Sequence, residues 1–130
     1  MQLNHIGINI ANDGEIQHFY QNILEFYPER SFPISRKISK MIFDIDGETK
    51  AFIMKNKSLR LELFVYDKPL NTGYAHLCVE VENREETVQK CTAKGYPVIR
   101  MKRENGNLLF VKDKAGNVFE LKNMPDENLS

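Results

Sequence analysis

Two stretches of the chain repeat one pattern of apolar and polar positions. Asn4 to Asn12 is NHIGINIAN, and Ala75 to Asn83 is AHLCVEVEN. In both, branched aliphatic residues occupy every second position, which predicts a β-strand with one buried face. A histidine opens each copy, His5 and His76, on the face opposite the aliphatic residues. The pattern therefore predicts a duplicated strand with one histidine per copy.

The first half continues with a helix and three further strands. An apolar stripe at helical spacing predicts a helix from Gly14 to Leu24. Pro28 and Pro33 should keep the next stretch irregular or extended. Apolar alternation around an Asp46-Gly47 turn then predicts a hairpin. The three strands are expected at about 37–45, 51–54 and 59–66.

The second half repeats this order. Asn83 is a typical cap for a helix that ends at Gly95, and three strands follow at about 97–101, 107–112 and 117–122. A repeat of this length indicates a duplicated supersecondary unit. We therefore expect one domain at 1–124, made of modules at about 1–66 and 74–124. A short linker at 67–73 joins them, and a polar tail covers 125–130.

Composition narrows the function classes. The chain has 130 residues, 42% hydrophobic and 28% charged, and eighteen basic residues balance eighteen acidic ones. This balance gives no global field to attract nucleic acid or a membrane. The N-terminus lacks the features of a signal peptide, so we expect a cytoplasmic location. Cys78 and Cys91 have no disulfide-type spacing. Cys91 is expected to be buried in a helix, and Cys78 either packs or lines a site beside His76.

The repeat also pairs two glutamates. Leu61-Glu62-Leu63 in the first half corresponds to Phe119-Glu120-Leu121 in the second, and each carboxylate faces away from its apolar neighbours. If the two sheets close on each other, two imidazoles and two carboxylates meet. Such a set suits Ni, Zn, Co, Fe or Mn, and suits Ca or Cu(I) less well.

The sequence resembles the vicinal-oxygen-chelate superfamily, which includes glyoxalase I, fosfomycin-resistance proteins, methylmalonyl-CoA epimerase and extradiol dioxygenases. The likeness rests on HIGI, FYQNILEF, AHLCVEV and the closing KDKAGNVFEL. It implies an α+β fold of two βαβββ modules whose curved mixed sheets enclose a metal. The residues at the four ligand positions of glyoxalase I would be His5, Glu62, His76 and Glu120.

The resemblance also implies a reaction. In glyoxalase I a divalent metal binds two neighbouring oxygens of a small 2-oxoaldehyde-thiol adduct and stabilises an enediolate. By this resemblance the protein is a metal-dependent lyase or isomerase that acts on a small molecule, with glutathione or another thiol as co-substrate. Glu120 is the first choice for the base that moves the proton, and Glu62 is its symmetry mate.

Other functions on the same scaffold stay open. One is an epimerase of the methylmalonyl-CoA type or a fosfomycin-modifying enzyme, and another is a metal-free binding protein of the bleomycin-resistance type. We also expect a homodimer, because the short linker could let modules pair across chains. Basic side chains that could bind substrate anions are Arg30, Arg36, Lys37, Arg100, Lys102 and Arg103.

Overall fold

The computed structural model describes residues 2–68, 73–104 and 106–125. The chain divides into two compact units, Met1–Lys68 and Pro69–Ser130. The first unit contains β1 (Ile6–Ile10), a π-helix (Ile16–Gln21), β2 (Tyr27–Ile34), α1 (Arg36–Phe43), β3 (Thr49–Asn56) and β4 (Leu59–Val65). The second contains β5 (Leu77–Val81), α2 (Arg84–Ala93), β6 (Val98–Met101), β7 (Leu108–Lys112) and β8 (Val118–Asn123).

Each unit forms one mixed four-stranded sheet, and the two sheets have the same topology. The strand orders are β1-β4-β3-β2 and β5-β8-β7-β6. The first and last strands of each unit pair in parallel, and the other pairs are antiparallel. The register also repeats, because Gly7 pairs with Glu62 and Cys78 pairs with Glu120. The α+β fold of duplicated modules is confirmed.

The aliphatic positions of the repeated strands form one side of each sheet, here called the aliphatic face. In the first unit this face includes Ile10, Leu61 and Leu63, which are fully buried. The predicted first helix is present as the π-helix, and it buries Phe19 and Tyr20. Their rings pack edge to face with centroids 5.1 Å apart, an arrangement that adds to the free energy of apolar burial.

The expectation of a strand at 37–45 is wrong, because this segment forms α1. The Ser35 side chain caps the helix by accepting a hydrogen bond from the Ile38 amide, and Asp44 ends it in the left-handed conformation at φ 56°. The apolar residues of this segment fit helical spacing as well as alternation, so its periodicity was ambiguous.

The strand missing from 37–45 is supplied by β2. Pro28 and Pro33 both lie in it, and they are tolerated because β2 is the edge strand of its sheet.

The second unit follows the predicted elements closely. Asn83 accepts hydrogen bonds from the amides of Glu85 and Glu86, at 3.1 and 3.3 Å, and so caps α2. Gly95 follows the helix with φ 79°, a conformation that glycine adopts without strain. Cys91 is buried on α2, and burial raises the pKa of its thiol to about 11. Both cysteines are free.

Part of the predicted linker (69–72) and nearly all of the predicted tail (126–130) lie outside the described residues. Among the helices within the described ranges, none combines the length and apolar character needed to cross a membrane.

Candidate metal centre

In the first unit the structure brings His5 and Glu62 together. His5 lies just before β1, and Glu62 lies on the parallel neighbour β4. The imidazole Nε2 is 2.9 Å from the carboxylate Oε2. The His5 side chain is 40% exposed and that of Glu62 is 13% exposed, so the pair opens to solvent on the histidine side. The two residues are far apart in sequence and meet only because β1 and β4 are adjacent.

The second unit repeats this placement. His76 lies just before β5, and Glu120 lies on the parallel neighbour β8. In each unit the histidine comes two residues before the residue that pairs with the glutamate, Gly7 in one unit and Cys78 in the other. The same arrangement of strands therefore presents one histidine and one glutamate from each sheet.

Both histidines are held through the same ring nitrogen. His5 Nδ1 lies 2.9 Å from Asn4 Oδ1, and His76 Nδ1 lies 2.9 Å from the carbonyl oxygen of Tyr74. When Nδ1 carries the proton it donates to these oxygens, and the lone pair of the neutral ring is then on Nε2. This is the tautomer in which a histidine binds a metal through Nε2 while a second partner holds its other nitrogen. The donor set and its orientation therefore fit a divalent metal.

Each unit supplies one histidine and one glutamate, here called its histidine-glutamate pair, rather than a complete site. Within the described part of either unit, no three His, Cys, Asp or Glu side chains are grouped so that they could hold a metal ion. A site with four protein ligands requires both pairs, from one chain or from two. The meeting of the four predicted ligands stays a prediction.

The side of each sheet that carries the glutamate is here called the ligand face. In the first unit the end of α1 lies against this face, because the Phe43 ring packs edge to face on Phe64 with centroids 5.3 Å apart. Phe64 is two residues from Glu62 on β4, and its ring lies close to Gly7, where an added Cβ would be 3.3 Å from Phe64 Cε2. This aromatic pair was not predicted from the sequence, because the pattern at 37–45 favoured a strand in place of α1.

Two of the candidate basic residues, Arg100 and Arg36, already form ion pairs. Arg100 shares the aliphatic face of the second sheet with Leu109. Its guanidinium makes two hydrogen bonds to Glu85 of α2, at 2.7 and 2.8 Å. These bonds lower the pKa of the Glu85 carboxyl and raise that of Arg100. Arg36 pairs with Asp46 at 3.6 Å. Arg100 is therefore on the wrong side of its sheet to serve the ligand face.

A short polar turn positions the strand that carries Glu120. Asp113 is buried and accepts hydrogen bonds from the amide and the side chain of Asn117, at 2.8 and 2.7 Å. Gly116 completes the turn at φ 93°. These bonds fix the start of β8 and so support the direction in which Glu120 points.

Cys78 is exposed on the ligand face of the second sheet, opposite Glu120. Desolvation and the nearby Glu120 carboxylate raise the pKa of its thiol. The thiol is therefore mostly protonated at neutral pH, which makes it a weak nucleophile.

The structure is similar to several solved structures. One is a mutant of the fosfomycin resistance protein FosX from Listeria monocytogenes, solved with Mn(II) and 1S,2S-dihydroxypropylphosphonic acid. It is 18% identical, with a TM-score of 0.73, and the match covers 98% of this chain and 96% of that one. A glyoxalase family protein from Enterococcus faecalis is 23% identical with a TM-score of 0.66, covering 92% of this chain and 95% of that one. Another from Bacillus cereus is 15% identical with a TM-score of 0.73, covering 93% and 92%.

At these identities the structural likeness shows the fold alone. No curated protein matches the chain. The sequence model of the Glyoxalase/Bleomycin resistance protein/Dioxygenase superfamily matches residues 2–121, nearly the whole chain. The match spans both units and includes all four residues of the two histidine-glutamate pairs. The chain therefore belongs to the Glyoxalase/Bleomycin resistance protein/Dioxygenase superfamily.

Proposed function

We propose that the protein is a divalent-metal-dependent lyase or isomerase of the glyoxalase I type. Its substrate is an adduct of a small 2-oxoaldehyde with a thiol such as glutathione, and its metal is Ni, Zn, Co or Mn. The observation that carries the proposal is the 2.9 Å approach of His5 Nε2 to Glu62 Oε2, together with the repeat of the same register at His76 and Glu120. A binding protein without metal has no need of this duplicated donor set.

The metal and the carboxylates have separate tasks in this proposal. A divalent ion held by His5, Glu62, His76 and Glu120 would supply Lewis-acid chemistry to the bound substrate. Glu120 accepts the proton from the carbon next to the substrate carbonyl on a carboxylate oxygen, and it returns that proton to the adjacent carbon. Glu62 occupies the matched position of the first unit and is the second choice for this base. Both carboxylates are half-buried, which limits exchange of the proton with bulk water.

The first experiment measures metal content and activity together. Protein stripped with a chelator is reloaded with Ni, Co, Zn or Mn, then assayed with methylglyoxal and glutathione. We expect bound metal and turnover in the wild type, and loss of turnover in Glu120→Gln. Glu86→Gln, which changes an exposed carboxylate on α2, is the matched control and should keep both. Failure to bind any of these metals would contradict the proposal and favour a metal-free binding protein.

A fosfomycin-modifying activity is the second candidate. It is favoured by the FosX structures among the similar folds, two of them in complex with Mn(II). The same reloaded protein is assayed with fosfomycin, and with methylmalonyl-CoA for the epimerase alternative. If the protein binds metal but does not turn over the hemithioacetal that methylglyoxal forms with glutathione, the glyoxalase I type is excluded and these two activities are left.

A homodimer is part of the proposal. It is supported by the apolar side chains that α1 exposes, since Met41 is 75% and Ile42 is 67% exposed and such surfaces are typical of subunit contacts. Light scattering on the metal-loaded protein tests the assembly. A strict monomer would contradict it.

A further inference from the structure

One row of residues crosses the ligand face of the first sheet from the candidate metal pair to the sheet edge. Gly7 pairs with Glu62, Glu62 with Ile53, and Ile53 with Arg30. Residues directly opposite each other on neighbouring strands project from the same face of a sheet. Arg30 is therefore on the ligand face, two strands or about 10 Å from the Glu62 backbone.

A β-bulge puts Arg30 on this face. The register of β2 against β3 shifts between Pro28 and Arg30, so that Pro28 pairs with Met54 but Arg30 pairs with Ile53. Met54 belongs to the aliphatic face through its pairing with Leu61. Without the bulge, Arg30 would lie on the same side as Pro28. Bulges commonly re-aim a side chain in this way.

The charge of Arg30 is left available. Arg60, which lies on β4, makes two hydrogen bonds to the Glu29 carboxylate, at 3.0 and 3.2 Å, and its charge is neutralised there. Arg30 instead lies over the Phe32 ring, 5.2 Å from its centroid, and it is exposed. Within residues 2–68, 73–104 and 106–125 it makes no ion pair. The aromatic ring restrains the guanidinium without cancelling its charge.

The second unit has no such cation at the equivalent position. There the row runs from Cys78 to Glu120, Phe110 and Ile99. Ile99 thus stands where the first unit has Arg30. Arg30 is therefore a departure from the internal repeat at this position of the row.

We propose that Arg30 binds an anionic group of the substrate, a carboxylate or phosphonate, while two neighbouring oxygens of the same molecule bind the metal. The guanidinium matches such oxyanions with two parallel hydrogen bonds. The substrate class is therefore an anionic compound with two adjacent oxygens at one end and the charged group several bonds away. This inference rests on the proposed metal-dependent function.

Hydroxamates provide matched probes of this arrangement. Acetohydroxamic acid has no ionisable group besides its chelating one, which loses a proton as its two neighbouring oxygens bind a metal. Carboxyalkyl hydroxamates add a carboxylate on methylene chains of graded length. Binding to Co(II)-loaded protein is measured by calorimetry and by the cobalt absorption spectrum. We expect the carboxyalkyl hydroxamate of one chain length to bind at least about tenfold more tightly than acetohydroxamate. Arg30→Met should remove this preference and leave acetohydroxamate binding unchanged.

Two variants separate the role of Arg30 from a general charge effect. Arg30→Lys should keep part of the preference, because it retains the charge but not the two-pronged geometry. Arg100→Met removes a cation from the aliphatic face of the other sheet and should keep the full preference. Circular dichroism checks that each variant is folded.

The outcomes distinguish the two proposals. If acetohydroxamate does not bind the Co(II)-loaded wild type, the metal-dependent function fails, and this inference fails with it. If acetohydroxamate binds but no carboxylate derivative binds more tightly, only the role of Arg30 is overturned. A preference that survives in Arg30→Met would overturn it as well.

Discussion

The two units share strand order, register and a histidine-glutamate pair, but they differ in what surrounds the pair. On the ligand face of the first sheet, Glu62 has Gly7 on one side, and Phe64 packs on Phe43 of α1. On the second, Glu120 has Cys78 beside it, and no helix corresponds to α1 between β6 and β7 in the described residues. The shared features are those proposed to hold a metal, and the differences are those proposed to contact a substrate.

This contrast separates two kinds of constraint. In the proposed metal site each unit supplies one histidine and one glutamate, and both histidines are bonded through Nδ1. An unsymmetrical substrate needs different groups on the two sides. The extra helix and the bulge that turns Arg30 both belong to the first unit.

The largest effect is expected from equivalent core residues. Leu61 and Phe119 occupy matched positions on β4 and β8, and both are fully buried. Phe119→Ala should lower the free energy of unfolding by about 3–5 kcal/mol, and Leu61→Ala by about 2–5 kcal/mol, because each leaves a cavity. Urea unfolding measures both. Separate transitions for the two variants would show that the units unfold independently.

Histidine substitutions test whether the two pairs share one ion. If they do, His5→Ala and His76→Ala should each weaken metal binding by more than about 100-fold, since the loss of a ligand exceeds the effect of losing an outer partner. The measurement is calorimetric titration, with one ion expected per site. His18→Ala, on the exposed side of the π-helix, is the control. Independent weak binding that survives in each single variant would contradict a shared ion.

Substitution of Gly7 and Cys78, which pair with the two glutamates, tests the difference in packing between the two ligand faces. Gly7→Cys should destabilise the protein by about 1–3 kcal/mol, because the new side chain displaces Phe64 from its place next to Gly7. Cys78→Ala changes an exposed side chain and should alter stability by less than about 0.5 kcal/mol. Thermal unfolding compares the two. Equal effects would mean that the aromatic contact does not restrict Gly7.

The smallest effect is expected at the surface pair of the second unit. Arg100 lowers the pKa of Glu85, so the pair stabilises the fold at pH values above the ordinary carboxyl pKa. That contribution is lost as the pH falls through the lowered pKa of the folded state. Glu85→Gln should therefore be slightly less stable than the wild type at neutral pH and equal to it in strong acid. Urea midpoints at the two pH values measure this difference, and a difference that persists in acid would exclude the ion pair as its cause.

Much of the fold was predictable because it depends on local signals. The alternation in β1 and β5, the Asn83 cap and Gly95 each act over a few residues. The prediction failed between Lys37 and Ile45, where a short apolar pattern fitted both a strand and a helix. Around Pro28 and Pro33 it left irregular and extended backbone open, and the structure has an edge strand there.

The candidate site was predictable in part for a different reason. Neither histidine nor glutamate has a local motif, but the duplication marks both, since each recurs at the matched position of the other half. The groups around them had no such counterpart. Only the structure shows that Phe43 packs on the ligand face, that the charge of Arg30 is available, and that Arg100 is bonded to Glu85.

The sequence by itself determined the repeated unit and the identity of its donors, because side-chain alternation assigns each donor to a face of its strand. The tertiary structure decided which donors meet within a unit, since the parallel pairing of β1 with β4 joins residues far apart in the chain. It also decided the face that Arg30 occupies. One bulged residue reverses the alternation that follows it, and the bulge is visible only in the pairing of β2 with β3.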